Sequence, residues 1–181
     1  MKEDTGFLGF SGRMIAAHFL TYFIIGFIFA IVGLNVMVYY ERYPEPLVND
    51  LFRPTSSLWV MAGPLFQLVR GFLFAVVLYP FRKVFLEKKW GWLYLWGIFL
   101  VLASLAPSSA APGSIEGLIY TRLPVSFHLM YLPEIVLQTL IFSGLVVVWE
   151  HNQVKKLTIP LVVVFSLILL MLVLGMAQTL V

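Results

Sequence analysis

The fold is decided first by residues 157–176, LTIPLVVVFSLILLMLVLGM, in which no charged side chain occurs. A run of this length and hydropathy matches the hydrocarbon core of a bilayer, which an α-helix crosses in about 17–25 residues. The composition of the whole chain agrees, because 61% of its 181 residues are hydrophobic and only 12% are charged. Soluble domains have roughly 45–50% apolar and about 25% charged residues. The stretch therefore predicts a transmembrane helix.

Four further segments precede this helix and are also long and apolar enough to cross a bilayer. Their approximate bounds are Met14–Tyr39, Leu58–Phe81, Trp90–Ala106 and Phe127–Trp149. The third is the shortest at 17 residues, but Trp90 and Trp92 at its start suit the headgroup layer. We therefore predict an all-α integral membrane protein, with five transmembrane helices in a single polytopic membrane domain over residues 1–181.

Lysine and arginine are distributed unevenly between the two sides of such a bundle. Cytoplasmic loops normally carry the excess of these residues. If the N-terminus is cytoplasmic, eight basic residues fall in inner segments and three in outer segments. The three on the outside are Arg42, Arg53 and Arg122. We therefore predict a cytoplasmic N-terminus and an outside C-terminus, in a cytoplasmic (inner) or plasma membrane.

Arg70 is the most informative single residue, because it lies near the middle of the second predicted helix. A charge at that depth costs about 2.5–3.5 kcal/mol on insertion scales, so a partner is expected. Glu134 is the acidic residue well inside a span, and Gln67 and Gln138 share helix faces with Arg70 and Glu134. At 1.5 Å per residue the four overlap in depth. We predict that these faces meet, with Arg70 and Glu134 as ion-pair partners.

Two interpretations of this polar layer stay open. Pro64 and Pro133 lie in the same two helices as the layer. A proline inside a span frees a backbone carbonyl, and kinked helices with polar faces commonly line a cavity. In the first interpretation Gln67, Arg70 and their partners line a substrate or ion pathway. In the second, an ion pair only fixes the packing of the helices.

Small and polar residues elsewhere are typical of helix packing. Gly26, Ala30 and Gly33 form a stripe that permits close approach of another helix, including one from a second copy of the chain. Interhelical hydrogen bonds are expected from Asn35, Ser104, Thr139, Ser143 and Ser166. His18 and His151 lie on the same side, where a haem or metal site is geometrically conceivable. We prefer to interpret them as interfacial polar residues, and predict no cofactor and no metal.

Three classes of function compete for this chain. The first is a membrane transporter or channel subunit for a small solute or ion, which uses the Arg/Glu/Gln layer. The second is a non-catalytic accessory or scaffold subunit of a larger membrane complex. The third is a membrane enzyme acting on a lipid substrate, with an outer-loop site at Glu116, Tyr120 and Arg122. The transporter or channel ranks first, because it uses the polar layer and function must be argued from sites, but nothing in the sequence excludes an accessory subunit, which needs no chemistry.

The sequence argues against several chemistries. No paired carboxylates, metal-ligand set or nucleophile with a base is apparent, so no catalytic residue is assigned. The absence of cysteine excludes disulfides and thiolate sites. The basic residues form short clusters and no broad basic surface, which argues against nucleic acid as a partner. The expected partners are the lipid bilayer, further copies of the chain or other membrane subunits.

Overall fold

The computed structural model describes residues 6–152 and 155–179, and this part of the chain forms helices without a strand. The helices are α1 (Phe7–Ile31), α2 (Val36–Arg42), α3 (Pro46–Leu51), α4 (Leu58–Met61), α5 (Gly63–Leu78), α6 (Arg82–Leu86), α7 (Gly91–Gly97), α8 (Ile115–Tyr120), α9 (Val125–His151) and α10 (Lys155–Thr179). A 3-10 turn, Tyr79–Phe81, joins α5 to α6. A π-helix, Ile98–Leu105, continues α7, and we refer to Gly91–Leu105 as the α7–π helix.

Within the described residues, four helices are long and apolar enough to cross a membrane, in agreement with the predicted membrane protein. They are Phe7–Arg42, Gly63–Leu86, Val125–His151 and Lys155–Gln178. These four helices correspond to the first, second, fourth and fifth predicted spans. Large hydrophobic side chains remain exposed on their outer surfaces, as expected for helices whose solvent is lipid.

The third predicted span, Trp90–Ala106, is shorter than a full membrane helix. The α7–π helix rises by about 22 Å at 1.5 Å per residue, against roughly 30 Å for the hydrocarbon core. It ends before Pro107, because a residue that precedes proline is turned away from helical backbone. An irregular segment then continues along α9, where the backbone N–H of Gly113 donates to Nδ1 of His128 at 3.1 Å.

The first predicted span, Met14–Tyr39, falls within Phe7–Arg42, which is long and apolar enough to cross a membrane, but its helix is interrupted between α1 and α2. The break between α1 and α2 contains Gly33, whose φ of 74° is a left-handed conformation that glycine adopts without steric cost. The backbone N–H groups of Leu34 and Asn35 both donate to the carbonyl oxygen of Phe29, each at 2.9 Å. Asn35 then caps α2 with its side-chain oxygen.

Helix α1 lies at the centre of the bundle, where it packs against α5, α9 and α10. At one end Arg13 of α1 forms an ion pair with Glu150 of α9, with 2.6 Å between Nε and Oε1. At the other end Asn35 donates to Glu134 of α9 at 3.1 Å. Helices α1 and α9 are therefore antiparallel. We call the Arg13 end the basic end, and the Asn35 end, where α2, α3 and α8 lie, the loop end.

The hydrophobic core has two parts, one toward each end of the bundle. The basic-end cluster is centred on Phe10, Met14, Phe85, Leu95 and Trp149. The loop-end cluster consists of Val36, Tyr40, Val48, Leu123 and Phe127. The polar residues of the predicted layer lie between these two clusters.

Candidate functional site

A cavity of about 380 Å³ lies between α1, α5, α9 and the α7–π helix. Its polar lining consists of His18, Tyr22, Asn35, Gln67, Arg70, Ser104, Tyr131, Glu134, Gln138 and Thr139. Ala111 and Pro112, from the irregular segment after the α7–π helix, complete its wall at the loop end. Polar side chains at membrane depth are costly unless they face one another, a cavity or a pathway. This concentration of them therefore marks the cavity as the candidate site.

The structure brings all four predicted layer residues into the wall of this cavity. Gln67 and Arg70 project from α5, and Glu134 and Gln138 project from α9. Gln67 is buried, Arg70 is exposed, and the two residues of α9 are half-buried. The predicted faces thus meet across an open space and not in direct contact.

The expected ion pair between Arg70 and Glu134 is absent from the described residues, which corrects the sequence prediction. Oε2 of Glu134 accepts a hydrogen bond from Asn35, and Oε1 lies toward Gly26, 3.6 Å from where a Cβ on that glycine would stand. The guanidinium carbon of Arg70 lies instead 5.5 Å from the ring centroid of Phe74. The break in α1 supplies Glu134 with an amide donor, so its carboxylate turns toward α1 and away from α5.

One of the five residues that were expected to form interhelical hydrogen bonds forms such a bond within the described chain. Asn35 makes such a bond, to Glu134 on α9. Ser104 and Thr139 donate to carbonyl oxygens of their own helices, at 2.9 and 2.7 Å. The hydroxyl of Ser143 is buried without a hydrogen-bond partner among the described residues, and Ser166 is exposed.

His18 belongs to the cavity wall. Its Nε2 lies 3.1 Å from Oε1 of Gln67, and the amide nitrogen of Gln67 donates to the carbonyl oxygen of Gly63 at 3.3 Å. With Oε1 as the acceptor, the assigned tautomer of His18 carries its proton on Nε2. The ring packs edge-on between Phe74 and Phe142, with centroid distances of 5.0 and 5.1 Å.

The conceivable histidine metal site is not assembled. His18 is turned into the cavity, His151 lies at the end of α9, and Glu150 is bound to Arg13. Across residues 6–152 and 155–179, no group of three histidine, aspartate or glutamate side chains is placed to hold a metal ion.

Three phenylalanines close the cavity toward the basic end. Phe74, Phe99 and Phe142 come from α5, the α7–π helix and α9, and all three line the cavity. Their ring centroids lie 4.7 Å (Phe74–Phe99), 4.9 Å (Phe99–Phe142) and 6.3 Å (Phe74–Phe142) apart. Such edge and tilted contacts are favourable for aromatic rings. We call these three rings the aromatic floor.

The candidate outer-loop residues lie outside this cavity. Glu116 and Tyr120 are on the short helix α8, and Arg122 follows it. Tyr120 and Arg122 are exposed, whereas Glu116 is half-buried. The loop is folded around Ser114, whose hydroxyl donates to the carbonyl oxygen of Ala111 at 2.7 Å and accepts from the N–H of Gly117 at 2.9 Å.

Sequence reasoning missed His18, Tyr22 and Tyr131 as cavity residues. The first helix was expected to start at Met14, which placed His18 near the membrane surface. Because α1 begins at Phe7, His18 lies about 16 Å from its start, at the level of the cavity. Helical spacing was the available signal, since Tyr22 lies four residues after His18 and Tyr131 three before Glu134.

Comparison with known proteins gave no significant match, whether with protein-family models, curated protein sequences or solved structures. Function must therefore be argued from the cavity itself. A helical membrane fold hosts transport, enzymatic and accessory functions alike, so the architecture alone does not decide among them.

Proposed function

We propose that the protein is a membrane transporter or channel subunit that moves a small solute or ion through the cavity. The observation that supports this best is that Arg70 and Glu134 line one cavity without bonding to each other. A direct ion pair would lower the cost of placing both charges at membrane depth. Ionisable residues that stay apart along a cavity are typical of substrate and ion pathways, which favours a pathway over simple packing.

The break between α1 and α2 supports the same proposal. Interrupted helices are tolerated at membrane depth where they line a cavity, and transporters often form their binding sites at such interruptions. Here Asn35 caps α2 and also donates to Glu134, so the break and the carboxylate are joined by one side chain. A ligand or proton at Glu134 is therefore expected to alter the junction between the two helices.

The proposal implies that the basic end is closed in this structure. The aromatic floor lies below the cavity, and the basic-end cluster and the Arg13–Glu150 ion pair lie beyond the floor. A solute that crosses the bundle requires these contacts to open. In this view the structure represents the state that is sealed toward the basic end.

We also propose five crossings, with a cytoplasmic N-terminus and an outside C-terminus in an inner or plasma membrane. The uneven distribution of basic residues supports this orientation. The course of the third segment supports a fifth crossing, because Gly91 lies against the backbone of Phe85 at the basic end and Gly113 bonds to His128 at the loop end. In this proposal the α7–π helix forms the first part of the fifth crossing, and the irregular stretch after Leu105 forms the rest.

The experiment that tests the transport proposal is cysteine accessibility, for which the cysteine-free chain is suited. Ala103 lines the cavity and lies twelve residues into the α7–π helix. Leu167 is exposed on the bundle surface and lies twelve residues into α10, so it is a control of matched depth. A membrane-impermeant maleimide should label the Ala103→Cys variant in sealed vesicles of both orientations and leave Leu167→Cys unlabelled.

Labelling of Ala103→Cys from both sides indicates a pathway that opens alternately or continuously. Labelling from one side only contradicts a pathway and favours an accessory protein or an enzyme. If Ala103→Cys resists labelling as strongly as Leu167→Cys, the cavity is not in contact with water, and the layer only fixes packing.

A further inference from the structure

The aromatic floor defines a level within the cavity at which polar groups from two helices face each other. Arg70 lies four residues before Phe74 on α5, and Gln138 lies four residues before Phe142 on α9. Residues four apart share a helix face, one turn from each other. Because Phe74 and Phe142 belong to the same floor, Arg70 and Gln138 lie at the same level, one turn toward the loop end.

The α7–π helix supplies a third wall at this level. Ala103 and Ser104 follow Phe99 by about one turn and line the cavity. The hydroxyl of Ser104 donates to the carbonyl oxygen of Phe99 at 2.9 Å. Its proton is therefore used within its own helix, and Ala103 and Ser104 together add a small side-chain surface to the cavity wall.

The donors at this level are not used within the described chain. Neither Arg70 nor Gln138 makes a hydrogen bond or ion pair with any residue in 6–152 or 155–179. The described contact of the guanidinium is the face of the Phe74 ring, at 5.5 Å. A guanidinium has five N–H donors and keeps its charge at every accessible pH. Arg70 is exposed at the level of the cavity, and a guanidinium at membrane depth requires an anionic counterpart or water.

Glu134 does not supply that counterpart. It lies one turn closer to the loop end than Gln138, and its carboxylate is held by Asn35 and turned toward α1 at Gly26. His18 and Gln67 bond to each other. Tyr22 also lies near Arg70, but it is a neutral hydroxyl and not an anionic counterpart. The site above the floor therefore presents donors and a fixed positive charge.

We infer that Arg70 and Gln138 bind the carboxylate or phosphate group of a small organic anion above the aromatic floor. This inference rests on the proposed function, since it names the class of solute that the cavity admits. The planar fork of a guanidinium matches two oxygens of a carboxylate or phosphate, and the amide of Gln138 adds a donor from the opposite wall. The cavity volume of 380 Å³ lies within the roughly 300–1,000 Å³ of small-molecule sites.

The test is protection of the Ala103→Cys variant from maleimide, measured as a labelling rate in maltoside micelles. Inorganic phosphate and glutarate are the soluble probes, and choline is the cationic control. At about ten times its dissociation constant, a bound anion is expected to slow labelling by about tenfold. Choline should not slow it. If choline slows labelling as much as the anions do, the inference is overturned, and no Arg70 variant is needed to show it.

The role of Arg70 is tested by Arg70→Gln in the same cysteine background. Protection by phosphate and glutarate should be lost, and Arg70→Lys should keep part of it, because the lysine retains the charge but not the fork. Arg53→Gln is the matched control, since Arg53 is an exposed arginine at the loop end that lies outside the cavity. Equal protection in wild type and Arg70→Gln would overturn the inference.

A soluble anion and a lipid headgroup carry the same chemistry, and a second arm separates them. Phosphatidylglycerol is added to the micelles in place of phosphate or glutarate. Protection by the lipid alone assigns the site to a headgroup, and protection by the soluble probes assigns it to a free solute. In either case protection must depend on Arg70. If Ala103→Cys is labelled from both sides but no anion protects it, the anion site is wrong and the transport proposal stands.

Discussion

Asn35 uses both halves of its carboxamide, and this determines how Glu134 is held. Its Oδ1 accepts from the backbone N–H groups of Met37 and Val38, at 3.2 and 3.3 Å. Its Nδ2 donates to Glu134 at 3.1 Å. The orientation required for the cap therefore points the amide donor at the carboxylate. Removal of either group is expected to leave the other without its partner.

The first prediction compares two double-mutant cycles on the free energy of unfolding in detergent. Asn35→Ala and Glu134→Gln should show coupling of about 0.5–3 kcal/mol, because the two side chains share a hydrogen bond. Arg70→Gln and Glu134→Gln should add to within about 0.3–0.5 kcal/mol, because among the described residues the two side chains neither bond to each other nor share a hydrogen-bond partner. Thermal or denaturant unfolding of the wild type, the three single variants and the two double variants supplies both values.

The second cycle serves as the control for the first, because both contain Glu134→Gln. Strong coupling between Arg70 and Glu134 would restore the ion pair that the sequence suggested. It would also remove the basis for an anion site at Arg70.

The sequence was sufficient to identify the polar layer but not its bonding. An arginine and a glutamate inside apolar helices are conspicuous, because a charged side chain in the hydrocarbon core costs free energy. Helical spacing then places Gln67 on the face of Arg70 and Gln138 on the face of Glu134. The choice of partner for Glu134 depended on where α1 ends, which Gly33 determines through its left-handed φ. The first predicted span contains two glycines, Gly26 and Gly33, and the sequence does not indicate which of them ends the helix.

At the level of elements, α1 and α5 approach each other closely. This approach occurs at Gly71, where a Cβ would lie 2.8 Å from Cα of Ile15. The stripe Gly26, Ala30 and Gly33 had been expected to provide such an approach. In the structure Gly26 faces Glu134 and Gly33 ends α1, so both glycines are used within the chain. Assembly into a homo-oligomer through that stripe stays a prediction.

The second prediction follows from this contact. Gly71→Ala should destabilise the protein by about 1–3 kcal/mol, because the added methyl meets backbone that cannot move aside. Gly144→Ala on α9 is the control, since nothing lies within 4 Å of its Cβ position. Its stability should stay unchanged or rise by up to about 1 kcal/mol, because alanine is the better helix former. Equal losses in both variants would show that α1 and α5 are not in close contact.

Element lengths were predicted well for long helices and poorly for short ones. Hydropathy locates α9 and α10 because lipid imposes a minimum length on a helix that must cross it. The α7–π helix is shorter than that length, and the irregular segment after it lines the cavity with Ala111 and Pro112 and contacts α9 at Gly113. Hydropathy does not distinguish a full crossing from a short helix followed by an irregular segment, since both are apolar.

For the whole molecule, the number of membrane crossings depends on the α7–π helix. If the α7–π helix and the irregular segment after it cross the membrane, the chain crosses five times and its two ends lie on opposite sides. If they do not, four spans return the C-terminus to the side of the N-terminus. In the first case α10 runs in the same direction as α1. The structure fits this case, because α10 starts at the basic end, where the indole N–H of Trp149 donates to the hydroxyl of Thr158 at 3.1 Å.

The last prediction is therefore the position of the C-terminus. Reporter fusions after Lys89 and Lys156 should report cytoplasm, because these residues lie in the basic segments that are retained there. Fusions after Gly113 and Val181 should report the outside. Each site carries, in separate strains, a reporter active only in the cytoplasm and one active only outside, so that a poorly expressed fusion is not mistaken for a negative result. A cytoplasmic signal at both Gly113 and Val181 would mean that the α7–π helix dips into the membrane without crossing it.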